Sequence, residues 1–254
     1  MNRTRIPYAD VNWPIVTGCS HGCPYCWARG MAHRFGRSFA PSFHAERLSE
    51  PIRARKPRRV LVAFTGDLFD PAITNDQIAA VFGVMAACPR HRFFILTKRA
   101  ERMAEWFAWV QQPGGAGVDA YFLAIEHYGY LGNRYPWPLL NVWIGVSVTS
   151  QADAEERIPR LLRCPATKRY VSAEPLLGPV DLIKLCDNGM LFGPDWVVAG
   201  AQSGPHAAPC DPAWARRLRD DCKREGVPFA WKNPTGYPPL DGVVHGALPM
   251  VSKQ

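Results

Sequence analysis

Cys19, Cys23 and Cys26 lie in the run Cys-Ser-His-Gly-Cys-Pro-Tyr-Cys, a C-x3-C-x2-C spacing. Three thiolates on one short loop can hold three irons of a [4Fe–4S] cube and leave the fourth iron open. A substrate or cofactor can bind there, whereas an electron-transfer cluster usually carries a fourth cysteine. Two alternatives stand beside this: a zinc site short of one ligand, and three unrelated thiols. Zinc knuckles pair one C-x2-C with a second pair downstream, and the chain has no second pair. His21 lies inside the loop, but a single residue between it and each flanking ligating cysteine is poor zinc geometry. The spacing favours the cluster.

Further chemistry-bearing residues follow short apolar runs. Val11 to Val16 leads to Thr17, Gly18 and the cysteine loop, and Val60 to Phe64 leads to Thr65, Gly66 and Asp67. Phe93 to Leu96 leads to Thr97 and Lys98, and Val142 to Val146 leads to Ser147 and Thr149. Tyr170-Val171 leads to Ser172 and Glu174, Trp196 to Ala199 leads to Gln202 and Ser203, and Val227 to Trp231 leads to Lys232 and Asn233. Continuous apolar runs of this length suit strands buried on both faces of a parallel sheet. Helical patterns lie between them: Asn75 to Ala87, capped by Thr74 or Asn75, Ala152 to Leu162 with a bend at Pro159, and Ala213 to Glu225 after Pro212.

This alternation predicts an α/β fold, a partial (β/α) TIM-type barrel of six or seven parallel strands. In such barrels the reacting groups sit at the C-terminal strand ends. One domain is expected over residues 1–254, with an insertion or lid at about 111–140 that holds Tyr121, Phe122, Tyr128 and Tyr130.

With 254 residues, 47% of them hydrophobic, the chain can build one large core, and no apolar run approaches a membrane span. The first residues lack the apolar stretch of a secretory signal. The remaining cysteines, Cys88, Cys164, Cys186, Cys210 and Cys222, are too scattered for a disulfide framework. A soluble protein of the reducing cytoplasm is expected, with no membrane partner. The net charge is +8, and part of it is concentrated in Arg53-Ala-Arg-Lys-Pro-Arg-Arg59. Such a run attracts phosphate backbones, so a nucleic acid or nucleotide is an expected partner; a solvated loop before a strand is the alternative.

With Tyr25 just before its last cysteine, the loop resembles the cluster motif of the radical S-adenosylmethionine (SAM) superfamily. Thr65-Gly-Asp-Leu-Phe-Asp-Pro71, Leu96-Thr-Lys-Arg99, Gly145-Val-Ser147 and Ser172-Ala-Glu-Pro175 extend the likeness. They resemble a phage- and prophage-associated three-cysteine family, itself similar to the spore photoproduct lyase branch. The resemblance implies a [4Fe–4S] cluster whose open iron is chelated by the amino and carboxylate groups of SAM. One electron, from a donor such as flavodoxin or ferredoxin, then cleaves SAM to methionine and a 5′-deoxyadenosyl radical that abstracts hydrogen from the substrate. Metal ligands would be Cys19, Cys23 and Cys26. SAM would meet Tyr25, Thr65, Gly66 and Asp67, its carboxylate would pair with Lys98, and Ser147 would approach its ribose or methionine part. Glu174, Gln202 and Asp70 are the catalytic candidates.

The implied substrate is a nucleobase, with isomerisation or modification of an amino-acid-substituted thymine in viral DNA as one form; a phage-encoded chain would then work in the host cytoplasm. A small molecule or peptide is the alternative substrate, and a non-catalytic Fe–S binding module the alternative function. The chain departs from the family pattern twice: Gly200-Ala-Gln-Ser203 stands where relatives read Gly-Gly-Glu-Ser, and Lys232-Asn-Pro-Thr-Gly236 where they read Lys-Gln-Trp-Gly. An amide in place of a carboxylate changes the charge offered to a substrate.

Overall fold

Each of the seven apolar runs is a strand in the computed structural model, which describes residues 1–112, 137–182, 193–204, 207–232, 236 and 238–249. The strands are β1 (Asn2–Arg3), β2 (Val11–Trp13), β3 (Val16–Thr17), β4 (Ser42–Phe43), β5 (Arg59–Val62), β6 (Arg92–Thr97), β7 (Val142–Val148), β8 (Lys168–Ala173), β9 (Trp196–Gly200), β10 (Phe229–Lys232), β11 (Pro239–Leu240) and β12 (Val243–Val244). The helices are α1 (Trp27–Arg34), α2 (Glu50–Arg53), α3 (Asn75–Ala86), α4 (Ala100–Val110), α5 (Gln151–Arg163) and α6 (Pro212–Arg224). This is an α/β fold of mostly parallel strands alternating with helices.

The chain divides into two compact units. The first holds Met1–Thr4, Ala9–Trp143 and Cys164–Thr167, and the second Arg5–Tyr8, Ile144–Arg163 and Lys168–Gln254. In the first, β2 pairs parallel with β5 and β5 with β6, so that Val11 aligns with Val60 and Val60 with Phe93, while β1 closes antiparallel on β2. In the second, β8, β9 and β10 run parallel, with Val171 beside Val197 and Phe229 beside Val197.

Apolar burial holds each unit. In the first, α3 buries Ile78, Val81, Phe82 and Met85, as its helical period requires. The Phe82 ring meets Trp106 of α4 with centroids 4.4 Å apart. In the second, the rings of Tyr8 and Tyr170 both lie against Trp196, at 5.0 and 5.5 Å. Each fully buried aromatic contributes about 2 to 3 kcal/mol by leaving water.

The helix ends follow local chemistry. Thr74, not Asn75, caps α3, in a capping box with Gln77. Asp211 caps α6, accepting from the Ala213 amide at 2.8 Å. Helix α5 runs on through Pro159. The expected insertion at 111–140 falls chiefly on 113–136, and Asn233, Pro234 and Thr235 are likewise outside the described residues. No helix among the described residues is long and apolar enough to cross a membrane.

Candidate active site at the cysteine loop

The cysteine loop is fixed first by backbone. Strand β3 pairs antiparallel with β4, and the Thr17 hydroxyl lies 2.8 Å from His44 Nε2. The Gly18 amide then donates to the Thr65 carbonyl at 3.0 Å, and the Cys19 amide to the Phe39 carbonyl at 3.2 Å. Gly18 bridges Gly66 in parallel fashion. A Cβ on Gly66 would stand 2.8 Å from the Gly18 carbonyl oxygen, so two glycines let the loop lie directly on the chain leaving β5. At its other end the loop runs into α1, for which Cys26 is the N-cap.

The three thiols are half-buried and in no disulfide. The His21 amide donates to Cys19 Sγ and the Arg29 amide to Cys26 Sγ, both at 3.4 Å, and Cys23 Sγ lies 3.3 Å from His21 Nδ1. Among the described residues no three His, Cys, Asp or Glu side chains converge on a point that would hold a single ion. Three thiols on one short loop are the donor type that an iron–sulfur cluster takes. Amide donors to sulfur are also what tunes such clusters. The donor set fits a [4Fe–4S] cluster with one iron left to an outside ligand. Burial pushes the Cys19 thiol up to about 11, against the pull of the His21 amide, so iron must displace a proton to bind there.

Side chains from the ends of β5 and β6 complete the mounting. Asp67 is buried and accepts from the Phe69 amide at 3.0 Å and the Lys98 amide at 3.1 Å. The Thr97 hydroxyl lies 2.7 and 2.9 Å from its two oxygens. Thr97 accepts in turn from the Arg99 amide, and Arg99 Nη2 reaches Ser20 Oγ at 2.8 Å, inside the cysteine loop. Asp70, also buried, accepts from both the amide and the hydroxyl of Ser20 at 2.8 Å, and from the Ala72 amide. One hydrogen-bonded chain therefore runs from Asp67 through Thr97, Arg99 and Ser20 to Asp70. Asp67→Ala leaves a hydroxyl and two amides without their acceptor, at about 1 to 3 kcal/mol for each buried group and less than their sum together. A loss of about 3 kcal/mol is expected in urea unfolding, and a loss under about 1 kcal/mol would show that the network does not bear on the fold.

The two aspartates titrate in opposite directions. Burial pushes the Asp67 carboxyl up, and the donors from Thr97, Phe69 and Lys98 only partly offset it. Its contribution is present below the ordinary value of 3.8 and fades as pH rises through the folded value. Burial also raises Asp70, but Ser20, Ala72 and the Arg99 charge outweigh it and hold the carboxyl below 3.8. Asp70 therefore adds stability that is complete above 3.8 and is lost as pH falls through its lower folded value. Protection of the Ser20 amide from hydrogen exchange should be full above the ordinary value of 3.8 and be lost only as pH falls through the lower folded value of Asp70. Asp70→Asn should show the acid behaviour already above 3.8; equal protection in both proteins would remove Asp70 from the loop's support.

Lys98 and Tyr25 meet beside the loop. Lys98 Nζ lies 3.2 Å from the Tyr25 hydroxyl and 5.2 Å from its ring centroid. The first unit thus gathers Cys19, Cys23, Cys26, Tyr25, Thr65, Gly66, Asp67, Asp70 and Lys98 around one loop. Ser20 and Arg99 were missed in the sequence, although each adjoins a residue that was singled out. The Arg53–Arg59 run is elsewhere: it leads into β5 and ends on the strand's first residue, while the cysteine loop lies past the strand's other end. The strand, four residues and about 13 Å long, spans from one to the other.

The second unit holds a separate group. Lys232 at the end of β10 is buried and ion-paired with Glu174, whose other oxygen accepts from the Ser172 hydroxyl at 2.9 Å. Ser147 Oγ donates to the Glu174 carbonyl at 3.2 Å, and Gln202 Oε1 accepts from the Ala208 amide at 3.2 Å. A Cβ on Gly200 would lie 2.6 Å from both Glu174 Oε1 and the Lys232 carbonyl, so only glycine fits at the end of β9.

Residues 3–246 match the model of a family described as "Protein of unknown function (DUF5131)". No curated protein matches the chain. Among solved structures, a spore photoproduct lyase complexed with dinucleoside spore photoproduct is similar at 13% identity and a TM-score of 0.49, over 88% of this chain. The chain spans 64% of that protein's length.

Proposed function

The chain belongs to this family of proteins of unknown function, and from its own residues we propose that it is a radical SAM enzyme, built on a partial barrel, that abstracts hydrogen from a nucleobase-type substrate. The observation that carries the proposal is the mounting of the three-cysteine loop. The loop, which itself carries Tyr25, is tied by Asp70, Ser20 and Arg99 to the chain leaving the strands, where Lys98 meets Tyr25.

Cys19, Cys23 and Cys26 would hold three irons. The bound cluster and SAM would supply one-electron cleavage of the sulfonium and hydrogen abstraction. The chain's own residues do the rest. Lys98 offers its ammonium to the carboxylate of SAM, a charge-assisted contact, and Asp67 fixes the Lys98 backbone. Asp70 acts through Ser20 and is a positioning residue. Thr65 and Gly66 carry backbone at the loop's edge, and in the second unit Ser147, Glu174 and Gln202 are the residues we assign to SAM or substrate contact. The net charge of +8 supports a polyanionic substrate.

The test is reconstitution with iron and sulfide without oxygen, reduction, and measurement of 5′-deoxyadenosine from SAM. Formation of that product supports the reading; none under any reductant, with the cluster loaded, overturns it. Lys98→Met should load the cluster normally yet bind SAM about 10- to 100-fold more weakly in equilibrium dialysis, the worth of one hydrogen bond to a charged group. Unchanged affinity would remove Lys98 from the site.

A further inference from the structure

Helix α1 leaves the last cysteine of the loop and buries none of its residues. Trp27, Met31 and Phe35 follow one another at intervals of four, so they lie one above another along a single face. They are 52, 45 and 58% exposed, three of the six large hydrophobic residues exposed among those described. The fold makes little use of this face: Trp27 touches Phe64 with ring centroids 5.6 Å apart. A concentration of exposed apolar side chains within nine residues marks a surface that meets something.

The charges around these rings say what. Between Asp10 and Glu46 the chain has no carboxylate side chain and three arginines, Arg29, Arg34 and Arg37. The guanidinium groups of Arg34 and Arg37 lie 6.0 and 5.9 Å from the Phe35 ring, and that of Arg29 lies 5.5 Å from Phe39. Flat rings interleaved with guanidinium groups suit a strand with exposed base faces and a phosphate backbone. A duplex hides its base faces in the stack. The Arg53–Arg59 run has cations but no rings, and it lies at the other end of β5.

Gly30 opens the middle of the same face. It stands three residues after Trp27 and four before Arg34, and a Cβ there would meet nothing within 4 Å. Glycine in a helix interior is unfavourable by itself, and here it leaves a gap between the rings.

We propose that the exposed face of α1 is a stacking platform for single-stranded nucleic acid, with bases on Trp27 and Phe35 and phosphates on Arg34 and Arg37. The proposal rests on the nucleobase reading of the function and deepens it: the substrate is an unpaired strand, held beside the cysteine loop by sequence-independent contacts.

The test is fluorescence anisotropy of the full chain with a labelled oligothymidine of about 12 nucleotides, within the usual site sizes, at low salt. Binding should quench tryptophan emission and weaken steeply with salt. Trp27→Ala and Phe35→Ala should each cost about tenfold in affinity. Gly30→Glu sets a carboxylate in open space on the face; it should cost tenfold or more while leaving the melting temperature unchanged or higher. The proposal is overturned if the wild type does not bind, if a duplex of the same length binds more tightly, or if the Gly30 and ring variants bind like wild type. Self-association abolished by the same variants, without strand binding, would assign the face to a second copy instead. Formation of 5′-deoxyadenosine without substrate, measured on the same preparations, separates the two readings. Cleavage without strand binding sinks the platform alone, whereas strand binding without cleavage sinks the enzyme alone.

Discussion

Alanine at Cys19, Cys23 or Cys26 should remove iron and SAM cleavage together. Each thiolate would be the protein's only hold on its iron, and the loop has no spare thiol; His21 stands two residues before Cys23 and already lies 3.3 Å from its sulfur. Visible absorbance of the reconstituted protein should vanish in all three variants. The yield of 5′-deoxyadenosine should fall by about 10³-fold or more, equivalent to about 4 kcal/mol of barrier. Cys210→Ala, at a half-buried thiol outside the loop, should keep both. If all three loop variants retain the colour, the ligand assignment is wrong; stoichiometric zinc in the wild type would be equally decisive.

Gly18→Ala should damage the same site without touching a ligand. A Cβ at Gly18 would lie 2.3 Å from the Ala40 carbonyl oxygen and 2.6 Å from that of Phe39, both backbone atoms that cannot turn aside. The residue also has φ +76°, which costs an alanine about 1 to 2 kcal/mol. Relief requires the loop to move away from the Phe39–Ala40 backbone, breaking the hydrogen bond from the Cys19 amide to the Phe39 carbonyl. A total of about 4 kcal/mol is expected, lowering the melting temperature by about 10 °C and sharply reducing iron uptake. Gly22 separates the two causes: its φ is +81°, but a Cβ there meets nothing within 4 Å. Gly22→Ala should therefore show only the smaller conformational cost. Equal melting temperatures for the two variants would mean that the close approach at Gly18 is unimportant.

Much of this site could be read from residue order. The cysteine spacing located the loop, and the apolar runs located the strands, because a strand buried on both faces leaves no polar residue to blur the pattern. Helices α1 and α4 were not legible. Helix α1 has no buried face to give a period; α4 has one in Met103, Trp106, Phe107 and Val110, but its N-cap residue Arg99 makes no side-chain cap to mark its start. Asp67 shows a different limit. In the sequence it reads equally well as a helix cap, but Thr74 takes that place, and Asp67 instead gathers donors from β6. That choice depends on the parallel register of β5 with β6, which no local pattern encodes. The basic run shows the same limit, since its composition suggests phosphate but not which end of β5 it occupies.

The Glu174–Lys232 pair and Gly200 constrain how the second unit can be altered. A change at either charged position alone strands the other charge out of water, which usually costs more than exchanging both for apolar groups of similar volume. A side chain at Gly200 collides with both. Mutagenesis that varies the two charged codons one at a time will return the starting protein, while a library that varies that pair in concert, with Gly200 kept, can reach new combinations.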